Sequence, residues 1–313
     1  MPKSCRYRHS GLTVASDIPL PEWEGFARHE TSPADVRIRL LRGTASPFAT
    51  DGEVTGNREM MRFSIPGIGA WEIVQGREIT VFPHAEATDA ELRLFTLGSA
   101  WAALGYQRGN AIWHGSAVAK NDRAILICGS AGAGKSTLAA ALADRGCTLV
   151  ADDLSRVEMR EGGPVIHRSA NQLKLWNDAL THLEWTDRIT ARDWLREDKY
   201  RCAPPSKADG PAEIPLAAIV VLDTKAETEL QQLRGAEALT ASMQATLYRP
   251  MFLDRLSAWP EQGALAAKAV TDIPVYRLSR PRDLNALTKG ANLLLDLLQR
   301  LERRKEISHT VEI

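Results

Sequence analysis

One stretch leaves this chain few folds to choose from: Gly129, Ser130, Ala131, Gly132, Ala133, Gly134, Lys135, Ser136, Thr137. It fits G-x-x-x-x-G-K-[ST], a loop whose backbone N–H groups close around phosphate oxygens. The flanks agree with it. Arg123 to Cys128 is a short apolar run suited to a buried strand, and Leu138 to Arg145 is rich in Ala and Leu, suited to a helix that Gly146 would stop. Strand, glycine loop and helix together predict an α/β nucleotide-binding domain. Lys135 would reach the β- and γ-phosphates of ATP, and the Ser136 hydroxyl would ligate Mg²⁺.

With 313 residues the chain favours two domains over one. Lys plus Arg and Asp plus Glu both number 39, so the formal net charge is zero. That balance argues against bulk electrostatic binding to nucleic acid or to an acidic membrane. The first ten residues contain no apolar core of a signal peptide. The longest apolar run, Leu216 to Leu222, is far too short to span a bilayer. Cys5, Cys128, Cys147 and Cys202 show no C-x-x-C spacing and read as reduced thiols of a cytoplasmic protein, without a zinc site. A homo-oligomer stays open.

Residues 1 to about 87 read as a β-rich domain. Leu12–Val14, Val36–Leu41, Met61–Ile65, Ala70–Val74 and Ile79–Phe82 are strand-like runs punctuated by Gly and Pro, Pro47 among them. Trp71 to Phe82 predicts a hairpin turning at Gln75-Gly76. Thr88-Asp-Ala-Glu91 is a capping box that opens a helix, with Leu94, Leu97, Trp101 and Leu104 on one side and Gly109 as its stop. Trp101 is expected in the core.

Ile112 to Lys120, then Asn121-Asp122, then the strand into the glycine loop predict a second hairpin. If Lys120 faces Arg123, His114 faces Gly129 and stands beside the phosphate loop. After the loop's helix, Cys147-Thr-Leu-Val-Ala-Asp-Asp153 leads an apolar run into two adjacent carboxylates. A strand running back beside the loop's own strand would bring both to the nucleotide, with successive side chains on opposite sides. One would hold Mg²⁺ and the other would face an acceptor hydroxyl, which is most of what phosphoryl transfer needs. Ile219 to Asp223 is a second apolar run ending in a carboxylate, so Asp223 is a rival for the metal-supporting position.

His114-Gly-Ser-Ala-Val118, Ile125 to Thr137 and Arg145 to Asp153 resemble the HPr serine kinase/phosphorylase family, which shares the phosphoenolpyruvate-carboxykinase type of nucleotide-binding fold. Over its length the chain is more similar to the HPr-kinase-related proteins of peptide-biosynthesis clusters, in particular to lasso-peptide precursor kinases, which phosphorylate a serine near the precursor's C-terminus. Gly11 to Leu20, Leu173-Lys-Leu-Trp176 and Asp198-Lys-Tyr200 carry that nearer likeness. The resemblance implies Asp153 as general base, Asp152 as support for Mg²⁺ and His114 close to the base. The chain departs from true HPr kinases in its N-terminal part and lacks their Glu-x-Arg signature after the aspartate pair. Both departures count against HPr as the acceptor and against phosphorylase activity.

Pro164 to Ile214 is mixed and cationic; Lys174, Lys199 and Arg201 are the favoured acceptor-binding residues, and Lys207 falls in an exposed loop over Cys202 to Pro211. Glu227 to Arg249 reads as containing helical stretches, Val275 to Leu278 as a late strand and Pro281 to Glu306 as a terminal helix whose Arg303-Arg-Lys305 end complements the helix dipole. The expectation is therefore a β-rich domain over 1–110 and a P-loop kinase domain of the HPr-kinase type over 111–313. It would pass the ATP γ-phosphoryl to a Ser or Thr of a peptide or protein. A nucleotide-binding regulator without an acceptor and a small-molecule kinase are the other readings.

Overall fold

The computed structural model describes residues 5–29, 32–44, 52–193, 196–205 and 210–310, with side chains as far as 303. Pro47, Lys207 and the side chains of Arg304 and Lys305 lie outside the described residues. The protein is a mixed α/β chain in two units, Met1–Ile112 with Tyr248–Ala264, and Trp113–Leu247 with Leu265–Ile313. The segment 248–264 thus belongs to the first unit, whereas the sequence reading put it in the second domain.

The first unit is built on β1 (Cys5–His9), β2 (Leu12–Ser16), β3 (Val36–Leu40), β4 (Val54–Gly56), β5 (Met60–Ile65), β6 (Gly69–Val74) and β7 (Glu78–Pro83). They form one seven-stranded sheet in the order β1-β2-β3-β7-β6-β5-β4. Polar β1 and three-residue β4 escape a search for apolar runs. β6 and β7 make the expected hairpin, with Gln75 and Gly76 both at positive φ. After it come α1 (Asp89–Phe95) and α2 (Trp101–Gln107), joined by a π-helical turn over Thr96–Ala100 rather than one regular helix. Thr96 explains the interruption: its hydroxyl donates to the Leu92 carbonyl (2.7 Å) and accepts from the Trp71 indole (2.9 Å). The capping box is present, and Trp101 is buried.

The second unit opens with β8 (Ala111–Lys120) and β9 (Arg123–Cys128), paired from Lys120 with Arg123 to Gly115 with Cys128. The turn residues Asn121 and Asp122 are both left-handed, as a two-residue hairpin requires. Then follow α3 (Lys135–Ala143), β10 (Thr148–Ala151), β11 (Leu154–Arg160), β12 (Gly163–His167), β13 (Leu173–Trp176), α4 (Asn177–His182), β14 (Ile189–Arg192), β15 (Lys199–Cys202), β16 (Glu213–Thr224), β17 (Glu229–Leu233) and α5 (Gly235–Thr246). The chain returns to the first unit through α6 (Pro250–Leu256) and enters α7 (Trp259–Asp272), ending with β18 (Val275–Arg280) and α8 (Leu287–Thr310).

The main sheet of this unit runs β10-β8-β11-β12-β16-β18-β17, with β9 paired to both β8 and β16. The twelve-residue β16 is long enough to meet β12 at its start and β9 further on. Here one expectation is corrected: β10 lies antiparallel to β8, not beside β9. Both edges of β9 are already taken, by β8 and by parallel β16. The stretch read as containing helix holds α5, and before it residues 229–233 form a strand paired with β18. Its Glu-Leu-Gln-Gln-Leu pattern is too short to decide between the two periods. The core gathers Val118, Ile125, Ile127 and Val220 of the sheet with Leu138 and Leu142 of α3 and Leu294 and Leu298 of α8. Among the described residues no helix is long and apolar enough to cross a membrane.

Candidate active site

The glycine loop lies between β9 and α3, so a buried strand aims it and a buried helix receives it. Gly134 stands at the helix N-cap with φ 88°, and no side chain caps the first turn. The leading N–H groups of α3 keep their donors for an anion. Gly134 also leaves room for the Arg280 guanidinium, which a Cβ there would displace. Arg280, at the end of β18, is buried and donates from Nη2 to the Ala133 carbonyl at 3.3 Å. Its Nε is buried with no hydrogen-bond partner. Burial lowers the Arg280 pKa from its ordinary value. Lys135 folds back on the loop, donating to the carbonyls of Gly129 (3.0 Å) and Ser130 (3.2 Å), and burial lowers its pKa too.

The two aspartates after β10 diverge. Asp152 takes hydrogen bonds on Oδ1 from Ser116 (2.6 Å) and from the loop's Ser136 (2.9 Å). Burial, and then the neighbouring Asp153, raise the Asp152 pKa. The Asp152 Oδ2 takes the backbone N–H of Lys174 at 3.3 Å, while Asp153 takes the Lys174 side chain, Nζ at 3.0 Å from its Oδ2, and has His114 Nδ1 at 3.8 Å from its Oδ1. Desolvation works to raise the Asp153 pKa, but the Lys174 ammonium outweighs it and holds the carboxyl well below its usual range. Two adjacent acids therefore have pKa values driven apart, a common sign of divided roles. His114 is itself lowered, by burial first and by Lys135 second, which favours the neutral ring at pH 7.

β8 positions two of these residues at once. His114 and Ser116 alternate onto one face of the strand. Gly115 between them lies on the crowded side, where a Cβ would come 2.7 Å from the Ile127 carbonyl. Ser130, Ala131, Gly132 and Ala133 complete the loop, and Thr137 is buried at the start of α3. The rival acid, Asp223, is exposed and accepts a hydrogen bond from the N–H of Thr224 (2.8 Å), whereas Asp152 bonds Ser136. Sequence reasoning missed Ser116 and Arg280. Ser116 shares the face of His114, a period-two signal that was there to use. Arg280 is carried to the loop by the distant pairing of β18 with β16, and no local pattern announces it.

The Ser136 hydroxyl and Asp152 carboxylate form a pair of hard oxygen donors at the mouth of the glycine loop. Such a pair suits Mg²⁺, which takes few protein oxygens and completes its shell with phosphate and water. Among the described residues no group of three or more His, Cys, Asp or Glu side chains is placed to hold a metal without that help.

No family model matches the chain, and no curated protein matches it. Among solved structures it is similar to the HPr(Ser) kinase/phosphatase from Coxiella burnetii, at 16% identity over 62% of this chain and 97% of that one, with a TM-score of 0.31. At that score the likeness has no weight for the chemistry, which rests on the geometry above.

Proposed function

We propose that this chain is an ATP-dependent kinase with a P-loop domain of the HPr-kinase type, acting on a serine or threonine hydroxyl of a peptide or protein. The acceptor we propose is the C-terminal region of a ribosomal precursor peptide of the lasso type, on the motif resemblance already given. The observation that carries the reading is the divergence of the Asp152 and Asp153 side chains, one hydrogen-bonded to the P-loop serine and the next paired with the Lys174 ammonium, with His114 3.8 Å away. A loop that only stored nucleotide would need the first carboxylate and not the second.

In this mechanism the glycine loop and the open N-terminus of α3 hold the triphosphate, and Lys135 leaves its own loop carbonyls for the β- and γ-phosphates. Ser136 and Asp152 would hold Mg²⁺, which would neutralise charge that builds on the transferred group. Asp153, kept ionised by Lys174, accepts the acceptor's hydroxyl proton and orients the oxygen for in-line attack. Neutral His114 buttresses that carboxylate from the other side.

The test is Asp153→Asn, which keeps the shape and removes the charge. Transfer of label from γ-labelled ATP to a serine-containing precursor peptide is expected to fall by about 100-fold or more. ATP affinity, read by calorimetry, is expected to stay within about 2-fold, since the Asp153 carboxylate pairs with Lys174 rather than with the phosphate-binding groups of the loop. Unchanged turnover removes Asp153 from the mechanism. ATP binding with no labelled peptide under any condition favours the regulator.

A further inference from the structure

The small sheet β13-β15-β14 has two unlike faces. Antiparallel pairing sets Leu173 opposite Cys202 and Leu175 opposite Tyr200, and Leu173, Leu175 and Cys202 are buried in the core. Alternation then brings Lys174 opposite Arg201 and Trp176 opposite Lys199 on the other face. Three cations and a tryptophan share that face. Like charges directly opposite one another across a strand pair cost stability. Burial first and Arg196 second lower the Lys199 pKa, whereas Asp153 keeps Lys174 charged against burial and Arg201. Asp153 at the rim is already engaged by Lys174. Trp176 is 44% exposed, one of the few large apolar side chains left in solvent among the described residues. Lys199 Nζ lies 5.5 Å and the Arg196 guanidinium 5.9 Å from its ring centroid.

An exposed aromatic ring set among cations, at the edge of the proposed base, suits a ligand that brings carboxylates and an apolar group together. We propose that this face binds an acidic segment of the peptide acceptor, with Asp or Glu side chains against Lys199 and Arg201 and an apolar side chain on Trp176. This leads the acceptor hydroxyl to Asp153. The inference rests on the phosphoryl-transfer reading and narrows its substrate to peptides that carry acidic and apolar residues near the hydroxyl.

The probe is a fluorescein-labelled, end-blocked short peptide with one serine flanked by Glu and Phe, beside a twin in which Gln replaces Glu. Binding is read by anisotropy with Mg²⁺ and a non-hydrolysable ATP analogue present. The Glu peptide is expected to bind about 5-fold more tightly than its twin, on the order of 1 kcal/mol. Raising the salt should weaken the Glu peptide alone. Lys199→Glu with Arg201→Glu should erase the preference while the affinity for the ATP analogue moves less than about 2-fold. Equal binding of the twins, or a preference that salt does not touch, overturns the proposal in the unaltered protein. Loss of nucleotide affinity in the double variant also overturns it, by giving these cations to phosphate instead. A Glu peptide that binds and is never labelled by ATP leaves this face standing and removes the kinase.

Discussion

Asp153 sits at φ 72°, in the left-handed region that side chains seldom enter, and Leu154 N–H donates to the Asp152 carbonyl at 2.9 Å across it. This closes a three-residue turn of the strained kind. Asp and Asn tolerate that conformation better than most residues, which is why the asparagine variant is a clean probe of charge. The acidic pair was legible because it directly follows the helix of the glycine loop. The place of His114 beside it followed from the β8–β9 hairpin, but Ser116 and the pairing of Lys174 with Asp153 did not, since Lys174 arrives from the distant β13. Ser116 is the sharper test of how the pair divides its partners. It is 1% exposed and gives Asp152 a hydrogen bond of 2.6 Å. Ser116→Ala leaves a buried carboxylate one donor short. It is expected to lower stability by about 1–3 kcal/mol in denaturant unfolding and to raise the Mg²⁺ concentration that half-saturates nucleotide binding. A loss of stability with unchanged Mg²⁺ dependence would confine Ser116 to the fold.

Elements announced by local chemistry were readable, and those defined by distant pairing were not. Asn121-Asp122 between two apolar runs specifies the β8–β9 hairpin, because only residues tolerant of positive φ make a turn whose twist matches the strands. The register that follows brings His114 to the end of the phosphate loop. Nothing local to residues 148–151 says that they pair with β8, and nothing in residues 229–233 says that they pair with β18. The hairpin turn gives a prediction at this scale. Asp122→Val places a β-branched residue at φ 56° and should cost about 1–2 kcal/mol, whereas Asp122→Gly should be neutral or stabilising, both measured by chemical unfolding. Equal effects of the two would mean that the turn does not hold these angles in solution.

Across the whole molecule, zero net charge and a sequence long enough for two cores say little about how the chain is divided between them. The division is discontinuous: the chain leaves the first unit at residue 112, builds most of the second, and returns at 248–264. What draws it back is α6, whose Phe252 is buried and lies 5.7 Å from the Phe63 ring of β5. Arg58 also donates to Glu261 at 2.7 Å and to the Leu256 carbonyl. Phe252→Ala is expected to cost about 3–5 kcal/mol in the unfolding transition that contains the first unit. A cost below about 1 kcal/mol would detach α6 from that core. No tally of apolar residues could have found this return, because Pro250–Leu256 reads equally well as a helix of either unit. It bears on how the protein is made. A ribosome that has released residue 112 has not yet supplied Phe252, so the first unit must wait, with its aromatic side chains partly bare, until about 150 further residues have been synthesised. The unit that begins first cannot be the first to finish, and a gene cut at its apparent border would express a core with a missing wall.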